Sequence, residues 1–163
     1  MPKNCLKPVS FFVVLALLSV FSCTKEKMST IEDDLLPGID IEPEIELLSV
    51  SASQVKAYED PLVFKIKYLD GDGDLGTEDP DDYTIELVDQ RDPGLLIFLY
   101  HLSPRAPLNA SIAIQGELDI VLDHTILLNA ANNAETTTFT LRIRDRAGHW
   151  SNTAESGVVT VVE

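Results

Sequence analysis

Three aspartates separated by single glycines, Asp70-Gly71-Asp72-Gly73-Asp74, lead into Leu75-Gly76-Thr77-Glu78-Asp79-Pro80-Asp81-Asp82, the densest run of carboxylates in the chain. Carboxylates at alternate positions converge on one point where glycines let the backbone curl, and hard oxygen donors of that kind suit Ca²⁺. Counted from Asp70 along a twelve-residue calcium loop, Gly76 falls at position 7, Glu78 at 9 and Asp81 at 12. Leu75 departs from the pattern by standing where the sharp turn takes glycine, and Asp81 is shorter than the usual bidentate glutamate. The competing reading is an acidic turn whose carboxylates cap backbone N–H groups and face water. Carboxylates this close repel one another, so either reading asks for a neutralising cation, a metal or a guanidinium.

A second loop, Arg144-Asp145-Arg146-Ala147-Gly148-His149-Trp150-Ser151-Asn152, offers both kinds of partner. Asp145 or Asn152 could complete a Ca²⁺ shell, or Arg144 and Arg146 could neutralise the acidic loop by ion pairing. The expectation is arginine pairing for residues 79–82 and metal for residues 70–74. His149 and Trp150 on a loop tip also suit stacking on a sugar ring or packing on a partner protein. Nothing else suggests chemistry. His101, His124 and His149 lack metal-ligand spacing, and there is no Gly-x-Ser-x-Gly, His-Glu-x-x-His or phosphate-binding glycine loop. The paired acids sit in a polar loop without the apolar pocket that would raise one carboxyl for acid catalysis, so a non-enzymatic role is expected.

The elements that must position these loops read as strands. Residues 62–69 alternate Phe64, Ile66 and Tyr68 against Lys65 and Lys67, the period of a half-buried strand. Tyr83, Ile85 and Leu87 repeat it, as do Leu118, Ile120 and Leu122, and then Phe139, Leu141 and Ile143 against Arg142 and Arg144. Further strands are expected over 45–51, 95–102 and 158–162, with 124–133 a helical turn or long loop. About seven short strands with turn signals between them predict an all-β, antiparallel sandwich of immunoglobulin-like or fibronectin-like type over residues 45–163; an open barrel is the competing topology. In such a sandwich the loops after the second and sixth strands emerge at one end, which makes the acidic loop and the Asp145 loop neighbours.

The N-terminus sets the location. Lys3 and Lys7 precede an apolar run over residues 11–20, too short to span a bilayer stably, and Val20-Phe21-Ser22-Cys23 puts a cysteine straight after a small residue. This arrangement resembles the lipobox of bacterial lipoproteins. The resemblance implies a signal peptide over 1–22, cleavage before Cys23 and lipid on its thiol, hence a membrane partner through the anchor. Residues 23–44, with Lys25-Glu26-Lys27, Glu32-Asp33-Asp34 and Pro43, read as a flexible tether reaching on the order of 25 Å. Cys5 leaves with the signal, so the mature chain holds no disulfide and relies on an ordinary core. Its formal charge moves from −15 to −17 as the signal's two lysines go. Such a chain repels nucleic acid and anionic membrane surfaces and attracts cations or basic partners.

Asp-Gly-Asp-Gly-Asp-Leu-Gly after a strand, with Asp-Arg-Ala-Gly-His-Trp-Ser-Asn before the last strand, resembles Bacteroidota lipoproteins carrying one immunoglobulin-like domain. The second segment is also similar to the Asp-x-x-Gly-Asn turn of bacterial immunoglobulin-like repeats, with His149 in place of asparagine. Over residues 45–163 the resemblance implies an immunoglobulin-like fold and a lipid-anchored, outer-membrane location. With no catalytic constellation in the chain, a surface scaffold or accessory module beside an envelope protein or glycan is expected. The alternative is a carbohydrate- or protein-binding module that uses the loop end around Trp150.

Overall fold

The computed structural model describes residues 40–163. The expected signal peptide, Cys23 and most of the tether lie outside the described residues. Ten strands follow in order: β1 (Glu44–Val50), β2 (Gln54–Lys56), β3 (Leu62–Asp70), β4 (Ile85–Asp89), β5 (Ile97–Tyr100), β6 (Ile114–Leu122), β7 (Ala134–Thr137), β8 (Phe139–Ile143), β9 (Ala154–Glu155) and β10 (Val159–Val162). No helix occurs among the described residues; 124–133 is irregular with turns.

The strands form three sheets, ordered β1-β3-β6, β2-β10-β7 and β5-β4-β8-β9, and they do not close into a barrel. All pairings are antiparallel except β2 with β10. The count exceeds the expected seven because longer runs are interrupted. A single residue, Thr138, separates β7 from β8, and with that break the chain leaves β10 for β4. The loss of alternation after Leu47 also has a cause: a bulge between Leu47 and Ser49 inserts Leu48, which is left exposed.

One core joins the sheets. Phe64, Ile66 and Tyr68 of β3 share it with Leu87 of β4, Phe139, Leu141 and Ile143 of β8, and Val159 and Val161 of β10. The Phe64 and Phe139 rings meet edge to face at 5.1 Å, a favoured aromatic geometry that adds roughly 1 kcal/mol to their burial. Two expectations fail locally. Tyr83 is exposed, since β4 begins two residues later, and only four residues of 95–102 are strand. That strand, β5, ends its sheet and turns Ile97 and Leu99 to the outside.

Candidate metal centre

The acidic loop begins where β3 ends. Asp70 is the last strand residue and is fully buried at 0% exposure, and Asp72 and Asp74 follow half-buried. The glycines between them matter for different reasons. Gly73 has φ +75°, and a Cβ there would stand 2.2 Å from the Ile112 carbonyl oxygen; Gly76 has φ +82°, and its Cβ would stand 2.3 Å from the Ser103 carbonyl oxygen. Only glycine combines that left-handed backbone with so close an approach. The loop therefore curls tightly over the segment joining β5 to β6. Leu75, fully buried, pins it to β8's continuation through a bridge to Asp145.

The curl brings Asp70, Asp72 and Asp74 together, with one carboxylate oxygen from each lying within 4.8 Å of the other two. Two oxygens on one Ca²⁺ at ~2.4 Å can stand no more than about 4.8 Å apart, so the spacing permits a shared ion. Some oxygens are already satisfied: Asp70 Oδ2 accepts from the Leu75 N–H at 3.1 Å and Asp74 Oδ2 from the Ala147 N–H at 3.0 Å. The Oδ1 atoms of all three aspartates are buried and have no hydrogen-bond partner. Each such atom costs about 1–3 kcal/mol in desolvation, and three charges sharing one spot add repulsion.

The carboxyls respond accordingly. Burial first, then the Asp72 charge, pushes Asp70 up to about 7, against the opposing Leu75 N–H bond. Burial, then the Asp145 and Asp72 charges, raises Asp74, while the Ala147 N–H and Arg146 pull it down. A divalent cation among these oxygens reverses the balance and favours the ionised forms.

The rest of the expected ligand set stands elsewhere, and the twelve-position register is corrected after Asp74. The Gly76 turn sends the chain away, and the Gly76 carbonyl accepts from Arg146 Nη1 at 2.9 Å. Glu78 and Asp81 are exposed on a polar turn, where the Asp81 N–H donates to Asp79 Oδ1. Neither joins the cluster, nor does Asp145. Asp145 is buried at 1% exposure, and its two oxygens take the His149 N–H at 2.7 Å and face His149 Nδ1 at 2.8 Å. That contact raises the His149 pKa. Asn152 is committed too, its amide clamping both backbone groups of Ile45 at 2.8 and 2.9 Å.

The two loops are neighbours, as expected. Arg146 N–H donates to the Asp74 carbonyl at 3.3 Å, and the Arg144 guanidinium pairs with Asp82. Arginine thus serves the far end of the acidic run, while the three near carboxylates have no guanidinium partner. Trp150 is half-buried beneath Arg142, whose guanidinium carbon sits 4.1 Å from the ring centroid, so one ring face is already covered.

A second ionic centre escaped the sequence reading. Arg91 bonds Asp89 through Nε and Nη2, Glu135 through Nη1 at 2.9 Å and the Ile126 carbonyl at 2.8 Å. Asp89 is held below the usual carboxylate range chiefly by Arg91 and Thr137 against the cost of burial. Backbone N–H groups of Leu128 and Asn129 hold Glu135 at about 2. Its members are spread from residue 89 to 135, so no local spacing announces it. Its donors are spent on protein acceptors, which marks it as structural.

No protein-family model, curated protein or solved structure gives a significant match to this chain. Among the described residues no helix is long and apolar enough to cross a membrane.

Proposed function

We propose that this chain is a lipid-anchored, non-catalytic module of the bacterial outer envelope whose β-sandwich binds Ca²⁺ at one end. The observation that carries the metal reading is the trio of buried, unpartnered Oδ1 atoms on Asp70, Asp72 and Asp74. Hydrogen bonds within a turn would leave such atoms facing water, whereas a hard cation satisfies all three at once. Counting β1 with β2, β7 with β8 and β9 with β10 as interrupted strands supports a seven-stranded immunoglobulin-like arrangement, with the site where the second strand gives way to its loop. The anchor rests on the lipobox at Cys23. Surface scaffolding or an accessory role beside an envelope protein or glycan is the reading that fits a module with a structural ion and a tether.

The test is thermal melting of residues 40–163 with millimolar Ca²⁺ and with chelator. At ~100 times its dissociation constant a ligand stabilises by roughly 2.7 kcal/mol, which for this size raises Tm by about 5–15 °C. Asp72→Ala with Asp74→Ala should abolish the rise. A wild-type melt that moves by less than a degree removes the metal from the reading and leaves Arg144 and Arg146 as the loop's only neutralising groups.

A further inference from the structure

The acidic loop does not stand free: it is the floor on which the segment between β5 and β6, residues 101–113, is laid. Two backbone hydrogen bonds cross the boundary, Thr77 N–H to the Leu102 carbonyl at 2.8 Å and Arg105 N–H to the Leu75 carbonyl at 3.0 Å. His101 Nε2 lies 2.9 Å from the Thr77 carbonyl oxygen. The two positive-φ glycines touch the same segment, Gly76 against the Ser103 and Leu102 carbonyls and Gly73 against Ile112. Leu102 at its start is buried in the core, and beyond that residue the segment has little else to hold it. It contains Pro104 and Pro107, which donate no backbone bond, and Leu108 and Ile112 are 48% and 53% exposed. Apart from the loop, Arg105 finds Tyr68, with Nε 3.3 Å from the hydroxyl.

From this we infer that cation occupancy at Asp70, Asp72 and Asp74 sets the order of residues 101–113, so that the ion gates how this end of the molecule presents Leu108 and Ile112. The inference rests on the metal reading above and adds its consequence. The cluster itself is marked as a ligand site by Asp70, fully buried with an unpartnered oxygen among the other two carboxylates. Without a cation, three crowded carboxylates push the loop apart, and the floor under 101–113 opens with it. With the cation, the loop closes from Asp70 to Gly76 and both crossing hydrogen bonds are protected. At a millimolar Ca²⁺ level outside the cell the end is closed, and a fall in Ca²⁺ releases it. Local opening of this kind draws on the low-stability end of a fold and leaves the core strands intact.

Amide hydrogen exchange on the mature chain, read by mass spectrometry with Ca²⁺ or with chelator, tests this beside calorimetric Ca²⁺ titration. The expected result is at least tenfold slower exchange at Thr77 and Arg105 with Ca²⁺, and no change at Ala57 and Tyr58, whose N–H groups bond the Val162 and Thr125 carbonyls. Binding without any slowing at Thr77 and Arg105 overturns the gating and spares the metal site. Uniform slowing at all four amides also overturns it, because the ion then stabilises only the whole fold. No saturable Ca²⁺ binding, by heat at two temperatures and by shift of the melt, overturns the metal reading and the gating together.

Discussion

Replacing Asp70 by asparagine should make the metal-free protein more stable at neutral pH while destroying its response to Ca²⁺. Asp70 titrates at about 7 when folded and near 3.8 when exposed. A raised carboxyl binds its proton more tightly in the folded state, so its contribution to stability is complete below about pH 4 and is lost as pH rises through 7. Each pH unit between those limits removes at most about 1.4 kcal/mol, so the whole span corresponds to an upper value of ~4 kcal/mol, and ~1–3 kcal/mol is expected once the loop relaxes. Asp74 is raised as well and acts in the same direction. Asp89 and Glu135 are lowered, so their contributions are present above the unfolded carboxylate range and disappear only under more acid conditions, below this window. The asparagine side chain keeps an oxygen for the Leu75 N–H and carries no charge. The assay is urea unfolding in metal-free buffer from pH 5 to 7.5. Wild type should lose stability across the range, and Asp70→Asn should flatten most of the slope and exceed wild type at pH 7.5. His149, raised by Asp145, tilts the upper end the same way, and His149→Gln separates its share. A wild-type profile that is flat or rises from pH 5 to 7.5 refutes the crowding of the three carboxylates.

Arg91→Ala should cost about 3–5 kcal/mol in the same unfolding assay, because it strands the Asp89 carboxylate, only 3% exposed, without its guanidinium; a loss under 1 kcal/mol would mean that water replaces the guanidinium. Cys23→Ala should leave the precursor uncut or release it from membranes, as read by fractionation and intact mass; a wild-type mature chain with no acyl mass would sink the anchor.

Alternation made the core legible. Phe64, Ile66 and Tyr68, and likewise Phe139, Leu141 and Ile143, are buried as their period requires, because a strand with one wet face has no other way to place its apolar side chains. Tyr83 had the same pattern and is exposed, since periodicity does not mark where pairing starts. The meeting of the acidic loop with Arg146 and Ala147 followed from strand order alone. The ligand set did not. Asp70, Asp72 and Asp74 converge as spacing suggests, but Gly76 was read as a ligand position when its backbone, pressed on Ser103, is the turn that carries Glu78 and Asp81 away. Asp145 carries the right chemistry and is spent on His149, a pairing four residues apart that competes with any ion. The Arg91 network joins residues over 40 positions apart, and only the folded chain brings them together.

The position of β5 at the end of its sheet has a consequence for how the molecule behaves in a crowd. Its outward Ile97 and Leu99 are 42% and 51% exposed, and the strand contains neither the lysine nor the proline with which many proteins blunt such an edge. Deterrence against strand-to-strand stacking must then come from the molecule as a whole, and a formal charge of −15 supplies it. Charge of that kind repels over about 8 Å at physiological salt and over less as salt rises. The acidity crowded into the loop at one end is therefore part of the colloidal protection of an apolar rim, and any surface that brings many copies together would depend on it.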